Sequence, residues 1–272
     1  MKILKICLLL SSFFLIGGDN QKVITVMSYN IHVGIGIDKK LDLDRIAGVI
    51  IQEKADIVAL NEIESNVGRT ECVNQIEYIA KKTNMYFAFG PNLIGNDGCK
   101  GKGEFGNAVL SKYKITKSAN HKLYQKDKEE PRGCLETEIE VDGRKVAFLA
   151  THLDCHCEED IRNNQARDIL RIINEKDCPV IFAGDMNAYL RTDGNDIENA
   201  ARIFADNLYD SANADPSQKN INTLIRGKNR IDFIFVNKPL SDSILLYKVV
   251  NYGDANTASD HYPVTAKINI NK

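Results

Sequence analysis

Apolar residues in this chain come in short runs that stop abruptly on polar side chains. The stretch VIFAGDMNA (180–188) shows the pattern most clearly: four apolar residues lead into Gly184, and Asp185 and Asn187 follow two positions apart. Such a run predicts a strand buried on both faces, and the two-residue period puts Asp185 and Asn187 on one side. Gly184 leaves room for another backbone to come close. A carboxylate at the end of a buried strand is costly unless a cation or hydrogen-bond donors meet it.

The same pattern recurs along the chain. VITVMSYNIH (23–32) predicts a strand ending on Asn30, and 56–63 a second ending on Asn61 and Glu62. Between them, Leu43, Ile46, Ala47, Ile50 and Ile51 have helical spacing, with Asp42 placed to cap the helix. A helix is expected over 74–84, a short aromatic core strand over 85–90, an exposed Gly- and Lys-rich loop over 92–103, and a strand over 106–111. Asp142-Gly143 between alternating runs predicts a hairpin whose second arm ends on His152. The longest helix is expected over 158–176 and another near 197–205. Strands are expected over 231–237, 244–252 and 263–270, the last following Asp260-His261. Helices alternate loosely with strands and hairpins, which implies a layered α/β fold and not a doubly wound nucleotide-binding one.

Length and composition narrow this picture. Of the 272 residues, 1–18 have a basic start, an apolar run and then Gly17-Gly18. That pattern predicts a secretory signal peptide, an exported protein, and a single domain over 19–272. The net charge is −2, and loss of Lys2 and Lys5 makes it about −4, so no global basic field argues for nucleic acid. Outside the leader stand Cys72, Cys99, Cys134, Cys155, Cys157 and Cys178. In an exported chain these permit disulfides, and Cys72 with Cys99, both in the loop-rich 64–104 stretch, is the first pair to expect.

The polar strand ends share one chemistry. Asn30, Glu62, Asp185 and Asp260 are oxygen donors suited to a hard cation. His152 and His261, beside carboxylates, suit proton transfer and stabilisation of developing charge. Asp232 sits inside an otherwise apolar run, 230–236. His152, Cys155, His156 and Cys157 have spacing compatible with zinc, but an exported Cys-x-Cys is more often oxidised or paired.

The motifs MSYNIHVG (27–34), ALNEIE (59–64), FGNAVLS (105–111), PRGCLE (131–136), ATHLD (150–154), GDMNA (184–188), RIDFIFV (230–236) and SDHYPV (259–264) follow in that order. In this set and order the chain resembles the endonuclease/exonuclease/phosphatase superfamily, which has the fold of deoxyribonuclease I. The resemblance implies a four-layer α/β sandwich with two central mixed β-sheets, and hydrolysis of a phosphoester by in-line attack of water with Mg²⁺ or Mn²⁺. It implies Glu62 as principal metal ligand with Asn30 and Asp260 close by, and Asp185 orienting or activating the water. Asn187 would contact the phosphate, and His261, held by Asp232, would stabilise the developing charge. His152 would contact the phosphate or serve the leaving group. Arg69, Asn107 and Arg132 lie beside family motifs as candidate substrate contacts. One departure stands out: several family nucleases have Asp two residues after the first Asn, where this chain has His32.

Three functions compete at this point. A phosphoesterase acting on a small or lipid-derived ester fits the acidic balance and the leader. A nuclease would need Lys and Arg contacts from 92–128. A non-catalytic binding module fits poorly, because the whole polar set is present. No protein partner is implied, and a monomer is expected.

Overall fold

The structure, a computed structural model, describes residues 21–156, 158–190 and 199–271. The expected signal peptide therefore lies outside the described residues, as do Cys157 and the first two positions of the helix expected near 197.

Twelve strands form two six-stranded sheets. In the first, β11 (Ile244–Val249), β12 (Val264–Asn269), β1 (Val23–Asn30), β2 (Ile57–Ser65), β4 (Gly101–Ser111) and β3 (Tyr86–Gly98) lie in that order. In the second the order is β5 (Ile115–Lys122), β6 (Gly133–Val141), β7 (Arg144–His152), β8 (Val180–Asp185), β10 (Asp232–Val236) and β9 (Tyr209–Asp210). Each sheet has one parallel pair, β1 with β2 and β7 with β8, and is otherwise antiparallel. A parallel pair needs a crossover. Here these are α1 (Leu43–Gln52) and α3 (Glu159–Asn174). Helices α2 (Gln75–Thr83) and α4 (Ala200–Asn207) complete the outer layers.

Strand alternation builds three cores. One face of β1 sends Met27 and Tyr29 against α1 and α2, together with Ile46, Ile50, Ile76 and Ile79. The other sends Ile24 and Val26 into the space between the sheets, where they meet Phe148, Ala150, Ile181, Ala183 and Ile234. Phe182 and Phe235 point outward to Ile169 and Phe204 beneath α3 and α4. Helix, sheet, sheet and helix thus form the expected four-layer sandwich. The helix starts also match: Asp42 accepts from Arg45 N at 3.0 Å and Asn74 from Glu77 N at 3.3 Å.

One expectation fails and a neighbouring one holds only in part. The 92–103 stretch is not a loop, because β3 and β4 pair across its length, with irregularities between Pro91 and Leu93 and between Gly95 and Gly98. The aromatic strand is core only in part: Met85 and Ala88 are buried and Phe89 packs on the core beneath α1 and α2, but β3 is the edge of its sheet, and Tyr86 and Phe87 are exposed. Glycine and lysine lower local strand propensity, but the backbone ladder to β4 and a bridge at the hairpin tip supply what propensity lacks. That bridge is Cys72–Cys99, the expected pair, and Cys99 N also donates to Asn66 O at 3.1 Å. Replacing both cysteines with alanine is expected to cost roughly 3.5 kcal/mol, the loop-entropy value for a closed loop of this size. Urea unfolding of the oxidised protein beside the double variant measures it, and coincident midpoints would refute the estimate.

Candidate active site

The inner faces of the central strands are largely apolar up to one polar position at the site. The row Ile24, Val26, Ser28 ends on Asn30, and Ile57, Ala59 ends on Asn61. Val146, Phe148, Ala150 ends on His152, and Ile181, Ala183 ends on Asp185. Val236 and Ile234 lead back to Asp232, at the start of its antiparallel strand. Period-two geometry therefore delivers all five polar side chains to one end of the space between the sheets.

Asp185 is the centre. His152 is its register partner on the parallel strand β7, and Asp232 faces it across the antiparallel strand β10. Two carboxylates directly opposite repel, and His261 offsets this. Its Nδ1 lies 2.9 Å from Asp232 Oδ2 and its Nε2 3.7 Å from Asp185 Oδ2. From the first sheet, Asn30 Nδ2 donates to Asp185 Oδ2 at 3.1 Å and to Glu62 Oε1 at 3.0 Å. Asn187 N donates to Asp185 Oδ1 at 2.8 Å, and its amide nitrogen lies 3.0 Å from His152 Nε2. Gly184 allows this crowding: a Cβ there would come within 1.9 Å of Thr151 O, and its φ of +151° suits glycine.

Glu62 reaches the site by a different device. The ladder between β2 and β4 shifts register between Leu60 and Ile63, and Glu62 sits at that irregularity with φ +58°. A left-handed glutamate is uncommon, and such strain clusters where function requires it. The shift lets consecutive residues serve one site. Asn61 turns inward while Glu62 meets Asn30 at the half-buried mouth.

Asp260 lies beside this group with its carboxylate partly exposed, 3.9 Å from His32 Nδ1. His32 does not replace the missing family carboxylate in kind: its ring bonds Ile35 O at 2.8 Å, and its N–H donates to Asn30 Oδ1. The three expected substrate contacts are less uniform. Asn107 spends both ends of its amide inside the protein, accepting from Asn61 at 2.9 Å and donating to Gly133 O at 3.0 Å. Arg132 is buried beside the site, pairs Glu130 at 3.2 Å, and leaves its Nε without a protein acceptor. Arg69 is more exposed, held through Nε by Glu64 at 2.7 Å. The zinc spacing does not converge: His152 faces Asp185, whereas His156 turns to Asp154 and Glu129 at 3.1 Å each.

Two supports escape the sequence reading. Asn61 accepts from Asp185 N at 3.0 Å and donates to Thr151 O at 2.8 Å, joining the sheets beneath the site. Thr223 Oγ1 accepts from Ile231 N and Asp232 N, and its carbonyl accepts from Tyr262 N. It thereby ties the strand of Asp232 to the turn of His261. Position beside the ALNEIE glutamate was a usable signal for Asn61. For Thr223, in a polar loop, there was none.

The electrostatics separate the groups. Burial and the facing Asp232 push the Asp185 carboxyl up to about 7, against the pull of His261, the Asn187 N–H and the Asn30 amide. Burial also works against a charged His261, but Asp232 and Asp185 outweigh it and lift the imidazole to about 10. Burial, then the positive charges of Arg132 and His261, hold His152 well below its usual value. At neutral pH the site therefore contains a protonated His261, a neutral His152 and a carboxyl poised near its midpoint. Among the described residues, Asp185, Asp232 and His261 are also close enough together to hold a metal ion, their ligand atoms lying within 4.8 Å of one another. So do Glu129, Asp154 and His156, at a more exposed position.

Known proteins with this architecture are numerous. The chain is 26% identical over 205 residues to YbhP of Escherichia coli, a protein named as uncharacterized, covering 71% of this chain and 77% of that one. A solved endonuclease/exonuclease/phosphatase from Beutenbergia cavernae superposes with a TM-score of 0.75 at 22% identity, covering 92% of this chain and 72% of that one. A mannosyl-6-phosphatase from Bacteroides thetaiotaomicron superposes with a TM-score of 0.65 at 19% identity, covering 89% and 98%. At such identities the structures speak for the fold alone. The sequence match is what assigns the family, and it spans residues 27–261, every strand end of the site included: the chain belongs to the Endonuclease/Exonuclease/phosphatase family.

Proposed function

We propose that the chain hydrolyses a phosphate ester of a small or lipid-derived molecule, with a divalent cation, Mg²⁺ or Mn²⁺. The observation that carries this is the juxtaposition of Asp185, poised near neutrality, with His261 held cationic by Asp232. One group can accept a proton at the pH at which the other keeps its own. Asp185 takes the proton of the attacking water as the water oxygen bonds to phosphorus. His261 faces the equatorial phosphate oxygens, where negative charge gathers, while the Asn187 side-chain amide is engaged with His152 Nε2 and Leu153 O, each at 3.0 Å, and serves to hold His152. Neutral His152, steadied by Asn187, lies on the leaving-group side. The bond from phosphorus to the ester oxygen breaks on that side, and the departing oxygen takes its proton from solvent water.

The residues at the mouth fit a hard cation. Glu62 is a half-buried carboxylate met by the Asn30 amide, and among the described residues no basic side chain pairs with it. Glu62 and Asp260 would supply the oxygens, with Asn30 steadying Glu62. A cation held there supplies positive charge against the phosphate oxygens. The trio of Asp185, Asp232 and His261 is close enough for an ion, but its short Asp232–His261 bond and burial suit proton storage better.

The Cys72–Cys99 bridge supports an exported location, since disulfides persist in oxidising compartments. The test is phosphate or nitrophenol release from mono- and bis-p-nitrophenyl phosphate. Activity is expected with Mg²⁺ or Mn²⁺, to vanish with EDTA and to return when the cation is restored. Glu62→Gln should then require at least roughly 10- to 100-fold more cation for half-activation, the loss usual for even an outer-shell partner of a ligand. A Glu62→Gln activation curve lying on the wild-type one would remove Glu62 from the metal site.

A further inference from the structure

We propose that the cavity beside the Glu62 strand end receives the alcohol part of the substrate. It selects an uncharged, hydroxyl-rich group of sugar size over one carrying a second phosphate. This rests on the phosphoesterase reading above.

The cavity has a volume of about 540 Å³, within the usual range for small-molecule sites, roughly 300–1,000 Å³. Its position follows from the strands. Glu62, Asn107 and Arg132 stand at or beside the catalytic group; Glu64 and Phe105, two residues away along β2 and β4, and Glu130, two residues before Arg132 in the segment leading into β6, line the cavity. Two residues of strand span about 7 Å, the reach from a phosphorus to the ring it esterifies. The far wall is the β3–β4 hairpin, tied at its tip to the 66–74 segment by Cys72–Cys99 and by Cys99 N to Asn66 O. The enclosure is therefore built into the fold.

The lining decides the ligand. The buried Glu64 carboxylate is spent on Arg69 and on Thr70 Oγ1 at 2.8 Å, and so holds the half-exposed guanidinium in place at the wall. Glu130 accepts from Arg132 at one oxygen. Glu104 has no cationic partner among the described residues. Phe105 and the exposed Leu93 add apolar surface. Hydroxyl groups can donate to Glu104 and Glu130 and accept from Arg69, while the C–H face of a ring packs on Phe105 and Leu93. With Glu64 paired to Arg69 and Glu130 to Arg132, Glu104 leaves the cavity lining net negative, so a second phosphate would meet like charge.

The test uses the full chain with Mg²⁺. The kcat/KM is measured for a hexose 6-phosphate, the hexose 1,6-bisphosphate, phosphoethanolamine and p-nitrophenyl phosphate, and calorimetry gives the Kd of each sugar phosphate. The hexose monophosphate is expected to exceed its bisphosphate by about tenfold or more, and Glu104→Lys to raise the bisphosphate-to-monophosphate ratio about tenfold. Glu104→Gln, closer in shape, should move the ratio the same way by less, which guards against a misfolded charge reversal. A ratio unchanged in both variants overturns the proposal, and a preference for phosphoethanolamine that is lost in Glu104→Gln overturns the polyol assignment in favour of an amine. If no ester is turned over, the phosphoesterase reading fails, and the cavity is judged by calorimetry alone. Hexose phosphate binding weakened by Glu104→Gln then sustains it, and binding that is absent or indifferent to Glu104 overturns it.

Discussion

Asp185→Asn is expected to lower turnover by roughly 10²- to 10⁴-fold, the usual contribution of a positioned base, and to leave the melting temperature at or above that of the parent. Both halves follow from the same environment. The carboxyl is buried between Asp232, His152 and Asn30, and its raised pKa records that the folded protein disfavours the charged form. A folded pKa above the unfolded value means that ionisation costs stability as the pH rises toward neutrality. Asparagine keeps the shape, keeps an oxygen for the Asn187 N–H, and removes the charge that faces Asp232. Paired kinetics and thermal melts test this. A variant that melts well below the parent while each folded molecule retains its activity would assign Asp185 to structure and take the base away from it.

Gly184→Ala should be a severely damaging single methyl, since among the described glycines compared none leaves an added Cβ less room. The added carbon would meet Thr151 O at 1.9 Å on the parallel neighbour β7, and the residue would have to hold φ +151°. The conformational penalty and the overpacking together are expected to cost roughly 3–5 kcal/mol, lowering the melting temperature by about 6–20 °C for a domain of this size. The clash sits between the residues carrying His152 and Asp185, so activity should fall in the fraction that stays folded. A melt within about 2 °C of the parent would mean that β7 and β8 separate more easily than their register implies.

The outline of the site was legible because polar side chains end apolar rows. Asn30, His152 and Asp185 declared themselves by interrupting patterns of period two, and Asp232 by its isolation among aromatics. The capping residues Asp42 and Asn74 were equally plain, because an N-cap is a local signal. What stayed hidden depends on pairing between distant segments. The β3–β4 hairpin is polar, glycine-rich and bulged, so nothing local marks it as a strand. The cavity that it walls was hidden with it. Asn107 looked like a substrate contact because it sits in a family motif, but only the fold shows that its amide is spent on Asn61 and Gly133. The left-handed turn at Glu62 was also invisible, since glutamate carries no signature for it.

The bonds from Asn30 to Asp185 and from Asn61 to Thr151 O run between the two sheets. Apolar side chains between layers resist separation but only weakly resist sliding, because dispersion and burial have little direction. Directional bonds at one end act as a clasp that fixes how far one sheet may shift against the other. The same atoms that position the chemistry therefore set the alignment of the sandwich. Variants at Asn61, which touches no substrate, should consequently broaden the distances among the reacting groups before they loosen the core.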